Sequence, residues 1–268
     1  MSMDIKNSLP TRVRHDTRAR LLTVSAVTDV TPLMRRVTLS GDQLEGFTSL
    51  GFDDHIKMFF PPMGETLTPP TIGPEGLVFE GARPPMRDYT PRRYDPQAKT
   101  LEVDFVLHGD GPASSWASNV KVGDPAVIAG PRGSMVVPDA FDWYLLAGDE
   151  TALPAIGRRL EELPRGVKAL VVIEVATPAE EQALTSAADL EVQWLHRNGA
   201  APGTTSLVIE ALRKLTLPEG RGFAFVAGEA RIGRDAKHHL IEERGMPSEL
   251  VKAAGYWAMG EADAHLPH

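Results

Sequence analysis

Cysteine is absent from the 268 residues. The chain can therefore have no disulfide framework, no thiolate zinc site, no protein-ligated iron–sulfur cluster and no cysteine nucleophile, and redox chemistry would have to come from a bound cofactor. Long apolar runs are also missing. Nothing approaches the roughly 18 residues that span a bilayer, and the opening MSMDIKNSLPTRVRHDTRAR lacks the apolar stretch of a signal peptide. A cytoplasmic protein without membrane insertion is expected. Positive charge is in deficit, 28 Lys and Arg against 36 Asp and Glu for a formal charge of −8, which argues against nucleic acid as the main partner. Aromatic residues are few at 6%, but 42% hydrophobic residues suffice for a real core. At roughly 100 to 200 residues per domain, two domains or one large one are expected.

The chain changes rhythm once. After a polar, basic lead-in carrying Arg12, Arg14, Arg18 and Arg20, the apolar stretches up to Val137 are short: LLTVSAV, RRVTLS, HIKMFF, GLVFE, TLEVDFVL and PAVIAG. Gly and Pro clusters separate them, as in an antiparallel barrel or sandwich. Pro61, Pro62, Pro69, Pro70 and Pro74 mark an extended loop. After Pro138, strands WYLLAG, ALVVIEVA, LEVQWLH and GFAFVAG alternate with helical patterns near 152–163, 179–184, 205–215 and 231–244. That alternation predicts a parallel sheet with crossover helices. The expected architecture is an antiparallel β-barrel over 18–138 and a parallel-sheet α/β domain over 139–268, with the boundary near 138–142.

Three segments are suited to dinucleotide chemistry. In Arg87-Asp88-Tyr89-Thr90-Pro91-Arg92 an arginine offers a fork to phosphate, and a tyrosine two residues on faces the same side of a strand with a flat ring. Thr90 adds a hydroxyl and an N–H within reach of a flavin ring nitrogen; a surface arginine beside a core tyrosine is the plainer alternative. His108-Gly109-Asp110-Gly111-Pro112-Ala113-Ser114-Ser115-Trp116 follows a strand and opens a helix, an anion site for a pyrophosphate or simply a capped turn. Ala147-Gly148-Asp149-Glu150-Thr151 lies at the first strand-to-helix turn of the α/β half, where a nicotinamide cofactor binds in such sheets, although Asp149 also suits a helix cap. Ala227-Gly228-Glu229 would approach the same crevice. His238 and His239 are expected on a helix surface rather than at a metal, since adjacent helical residues point about 100° apart. No metal site is expected.

Taken in order, RDYTPRRYD, HGDGPASSWA, GPRGS, LLAGDETALPAI, VAGE and GYW resemble the siderophore-interacting protein family, flavin-dependent ferric-siderophore reductases of the ferredoxin-reductase superfamily. The resemblance runs from about Arg18 to Asp263 and implies an FAD-binding barrel followed by a nicotinamide-binding domain. It implies that Arg87 holds FAD phosphate, Tyr89 and Thr90 the flavin ring, and His108, Gly111, Ala113, Ser114 and Ser115 the rest of the dinucleotide. His55, Asp104 and Trp257 join this FAD set, Trp257 beside the isoalloxazine. Asp149, Glu150, Thr151, Arg197 and Glu229 are expected to meet NAD(P)H, with Arg197 as the arginine for a 2′-phosphate and hence a lean to NADPH over NADH. Lys57, Arg92, Arg93 and Lys252 are the cations expected to meet an anionic ferric siderophore. After GYW the family carries basic residues, whereas Ala258 and Met259 stand here. The implied activity is NAD(P)H-driven reduction of chelated Fe(III) to Fe(II). A flavin bridges a two-electron hydride donor and a one-electron acceptor. The alternatives are a reductase for ferredoxin, free flavin or a quinone, and a siderophore binder without turnover.

Overall fold

A computed structural model describes residues 9–61, 68–74, 76–109 and 111–261. They divide into two compact units, one over Arg12–Val136 and the other built from Val137 onward together with the described residues up to Thr11.

The first unit is antiparallel. Its strands are β1 (Thr11–Arg14), β2 (Ala19–Thr31), β3 (Met34–Ser40), β4 (Ile56–Phe59), β5 (Thr71–Gly73), β6 (Gly76–Val78), β7 (Met86–Tyr89), β8 (Arg93–Asp95), β9 (Thr100–Val106), β10 (Pro125–Ala129) and β11 (Gly133–Val136), with helix α1 (Pro112–Asn119) between β9 and β10. Seven of them form one sheet in the order β7-β4-β10-β2-β3-β9-β8. Alternation decides which face is core: Leu101, Val103 and Phe105 of β9 are buried with Val37 and Leu39 of β3 and Ile56 and Met58 of β4. Tyr89 from one edge strand and Tyr94 from the other pack on that same cluster, so the sheet curls around it, while Phe59, Val127 and Ala129 form a smaller separate cluster with Leu77 and Phe79. From Thr11 onward the basic lead-in is strand, since β1 pairs with β11. The proline-marked loop, where described, also carries the β5–β6 hairpin.

The second unit has β12 (Trp143–Asp149), α2 (Leu153–Glu162), β13 (Lys168–Val175), β14 (Asp189–His196), α3 (Leu207–Lys214), β15 (Gly222–Glu229), α4 (Ala230–His238) and β16 (Val251–Trp257). All pairs in its sheet are parallel, in the order β14-β13-β12-β15-β16. The four-residue spacing read in the sequence is the buried stripe of α2: Ala152, Ile156, Leu160 and Leu163 are all buried. α3 and α4 supply Val208, Leu212, Ile232 and Ala236 to a core with Leu145, Ala147, Ala224 and Val226. The helix expected near 179–184 is only a single 3₁₀ turn at Pro178–Glu180; so short a segment does not repay helix nucleation. The last helix ends as α at His238 and continues as a π turn over His239–Glu243. There His239 is buried, its Nδ1 within 2.8 Å of Glu243, so only His238 lies on the expected exposed face. No described helix is long and apolar enough to cross a membrane.

The order 3-2-1-4-5 reverses direction between β12 and β15. In open α/β sheets that switch point opens a crevice beyond the carboxyl ends of the strands, where ligands bind.

Candidate functional site

In the first unit the RDYT strand is fixed by its ladder with β4, which pairs Ile56 with Tyr89, Lys57 with Asp88 and Met58 with Arg87. Residues directly opposite in an antiparallel ladder share a face. Arg87 and Tyr89 therefore stand on the face of Ile56 and Met58. The Tyr89 ring lies 4.3 Å from Phe105 and, edge-on, 6.2 Å from Phe60. Trp116 of α1 closes the group at 5.4 Å from Phe105 and 5.7 Å from Phe60. This aromatic cluster ties the RDYT strand to the helix that opens at Gly111. Sequence reasoning missed it because its members come from four segments; only strand alternation hinted that Phe105 points inward.

Gly111 caps α1 with no side chain, and Pro112 occupies the first turn without an N–H. Ser115 N–H bonds Gly111 O at 2.8 Å, so the N–H groups of Ala113 and Ser114 have no partner within the helix. The buried Ser114 hydroxyl accepts the His108 N–H at 2.9 Å and closes the turn, with Gly109 at φ +53. His108 itself is exposed. An anion-ready helix start and a half-buried arginine on the linked strand fit a dinucleotide pyrophosphate. Thr90 is buried next to Tyr89, whose hydroxyl is pushed well above its ordinary pKa by burial and so stays protonated.

The other expected site residues differ in how far their polar groups are already engaged within the protein. Asp104 does not present its carboxylate: Arg36, its register partner, grips both oxygens at 2.6 and 2.8 Å on the face opposite Val103 and Phe105. Lys57 is not a lone cation beside the Arg87 face, since its Nζ donates to Asp88 at 2.8 Å on the other side of the ladder. His55 is exposed just before β4. Arg92 is buried at 9% exposure, which leaves Arg93, exposed at the start of β8, as the member of that pair facing solvent. Lys252 pairs with Phe225 near the amino end of β16. At about 3.3 Å per residue it lies roughly 17 Å from the carboxyl end, where ligands bind.

The second unit gathers Asp149, Glu150, Thr151, Arg197, Glu229 and Trp257 at that carboxyl edge. Asp149 is its centre. One oxygen accepts from the N–H and the hydroxyl of Thr151, and the other from Glu229 N–H and Trp257 Nε1–H, each at 2.9 Å. Glu229 in turn accepts Arg231 N–H at 2.8 Å and caps α4, while Arg231 reaches the carbonyls of Gly203 and Thr205. Small residues permit the closeness: a Cβ on Gly228 would meet Asp149 Oδ2 at 2.6 Å, and one on Gly203 would meet Trp257 at 3.0 Å. Arg197 follows β14 and reaches across β13 to Glu150, making bonds of 2.7 and 2.6 Å, with Glu174 at 3.5 Å. The sequence had flagged neither Glu174, at the end of β13 and bonded by Thr205, nor Arg231.

Burial raises the Asp149 pKa to about 6, with the Glu150 charge adding and the bonds from Thr151 and Trp257 opposing. Because the folded value lies above the unfolded one, the folded state binds the extra proton between about pH 6 and 4, and stability rises as pH falls through that window. Urea unfolding of wild type and Asp149→Asn at pH 7.5 and 4.5 checks this. The advantage of wild type over the variant is expected to be larger at pH 4.5; an equal difference would reject the raised ionisation.

Comparison with known proteins covers both units. Residues 23–135 match the siderophore-interacting FAD-binding domain and residues 141–260 the siderophore-interacting protein model. The chain is 39% identical over 252 residues to the NADPH-dependent ferric-chelate reductase of Escherichia coli, covering 92% of this chain and 96% of that one. It is 32% identical over 232 residues to the ferric vibriobactin reductase ViuB of Vibrio cholerae, covering 84% of each. Among solved structures, a siderophore utilization protein from T. fusca superposes with a TM-score of 0.88 at 40% identity, over 94% of this chain and 97% of that one. The two domain matches, in the order that the two units follow, show that the chain belongs to the siderophore-interacting protein family and that its first unit carries the family's FAD-binding domain.

Proposed function

We propose that this protein is an FAD-dependent NAD(P)H:ferric-siderophore oxidoreductase, with an FAD-binding domain over 18–138 and an NAD(P)H-binding domain over 139–268. The observation that carries this reading is the near full-length similarity to a protein named NADPH-dependent ferric-chelate reductase. In balance, one hydride from NAD(P)H reduces two ferric ions and leaves one proton. FAD supplies the step from a two-electron donor to a one-electron acceptor. The protein's own groups bind and orient. Arg87 and the open N–H groups of α1 neutralise phosphate, and Tyr89 and Thr90 flank the flavin. Asp149, through Thr151, Glu229 and Trp257, holds the crevice edge of the second unit in one arrangement. No side chain is required to move a proton. Fe(II), the less charged ion, is held less tightly by hard oxygen ligands, so reduction promotes iron release.

The test is anaerobic. Purified protein carrying FAD is expected to bleach on addition of NADH or NADPH and to recover its colour when a ferric siderophore is added. Bleaching without recovery would favour another acceptor, such as ferredoxin, a free flavin or a quinone; a colourless protein that binds the chelate would favour a carrier. Arg87→Ala is expected to weaken FAD by about 1.5 to 3 kcal/mol, the scale of a lost charge-assisted hydrogen bond, without loss of fold. Full flavin occupancy after dialysis would count against that role.

A further inference from the structure

We propose that Glu150 sets the choice between NADH and NADPH by holding Arg197 away from a 2′-phosphate, an inference that rests on reading the carboxyl-edge crevice as the donor site.

Arg197 is the cation at the ends of β13 and β14, where the adenosine ribose of a dinucleotide lies in such sheets. Its side chain is only 3% exposed. Both terminal nitrogens are spent on Glu150, in the two-pronged geometry a guanidinium would otherwise offer a phosphate, and Glu174 stands 3.5 Å from one of them. The remaining nitrogen, Nε, is buried without a hydrogen-bond partner, so it offers no donor toward solvent. Around this guanidinium stand the carboxylates of Glu150 and Glu174, with Asp149 bonded to Glu229 N–H one strand further on. A doubly charged 2′-phosphate would have to displace Glu150 from Arg197 and then sit beside the carboxylate it displaced. The 2′-hydroxyl of NADH asks for neither. Discrimination arises here from a repulsive and already occupied site, not from a missing contact.

Glu150→Gln tests this directly. The glutamine keeps the shape and one acceptor but releases the charge of Arg197. Calorimetry with adenosine 2′,5′-bisphosphate and with AMP reads the binding without turnover, and flavin bleaching gives KM for each nicotinamide. In Glu150→Gln the affinity for the bisphosphate relative to AMP is expected to rise about tenfold, and the ratio of KM for NADPH to KM for NADH to fall by a similar factor. The double variant Glu150→Gln/Arg197→Gln is expected to return both ratios to the wild-type values, because no cation is left to release. Unchanged ratios in the single variant, or a gain that survives in the double variant, would overturn the proposal while leaving the donor site intact. If neither nucleotide bleaches wild-type flavin, the donor-site reading fails, and this inference with it. Should the single variant fold poorly, Glu150→Asp shortens the clamp without removing charge; a bisphosphate-to-AMP preference below that of wild type there would also overturn it.

Discussion

Gly148→Ala is expected to destabilise the second unit by at least about 3 kcal/mol, at or beyond the upper end of ordinary overpacking. A Cβ at this position would collide with the carbonyl oxygen of Ala227 and lie 2.8 Å from the Ala152 side chain. The carbonyl belongs to β15 and is fixed by the parallel ladder that pairs Gly148 with Ala227, so no flexible side chain can yield. The strands must part at the switch point where the crevice opens. Urea unfolding followed by far-UV circular dichroism is expected to show an early transition for this unit. The variant is also expected to keep its flavin, since the FAD-binding domain matches residues 23–135, and to bleach poorly with nicotinamide. Unfolding at the wild-type urea concentration would show that β12 and β15 tolerate the methyl group.

Arg197→Ala is the second large effect, about 3 to 5 kcal/mol, the scale seen when one partner of a buried ion pair is removed. Burial by itself would lower the arginine's pKa, but the bonds to Glu150 and the charge of Glu174 more than offset it and the pKa is raised. Without the guanidinium, Glu150 and the almost fully buried Glu174 face each other with no cation between them. Urea unfolding of the variant at neutral pH checks this: a loss below about 1 kcal/mol would contradict it and place the pair among exposed ion pairs of little consequence. Any effect on KM for NADPH has to be read after this correction. The simple expectation of an arginine waiting for phosphate does not describe a side chain already gripped by two oxygens.

Much of the architecture was legible from local patterns. Short strands punctuated by Gly and Pro, then Val- and Ala-rich strands alternating with helical stripes, reflect the periods of pleat and helix, which depend on neighbours a few residues away. The α2 stripe and the inward face of β9 are where those periods placed them. The segment after Ala176 failed for a local reason as well, because helical composition without enough length does not repay nucleation.

Sequence by itself determined which residues were chemically equipped. RDYT, the turn at Gly109 to Gly111 and the acidic turn after β12 are runs of neighbours, and their donors and flexible glycines can be named without a fold. Only tertiary structure decided which of those groups are already spent. Asp104 and Arg36 are 68 residues apart, Arg197 and Glu150 47, and Trp257 and Asp149 108. Each charge looks available along the chain because its partner arrives on another strand, through register and sheet order. The energy of a buried charge depends on the partner within a few ångströms, and that distance is set by strand pairing, not by spacing in the sequence.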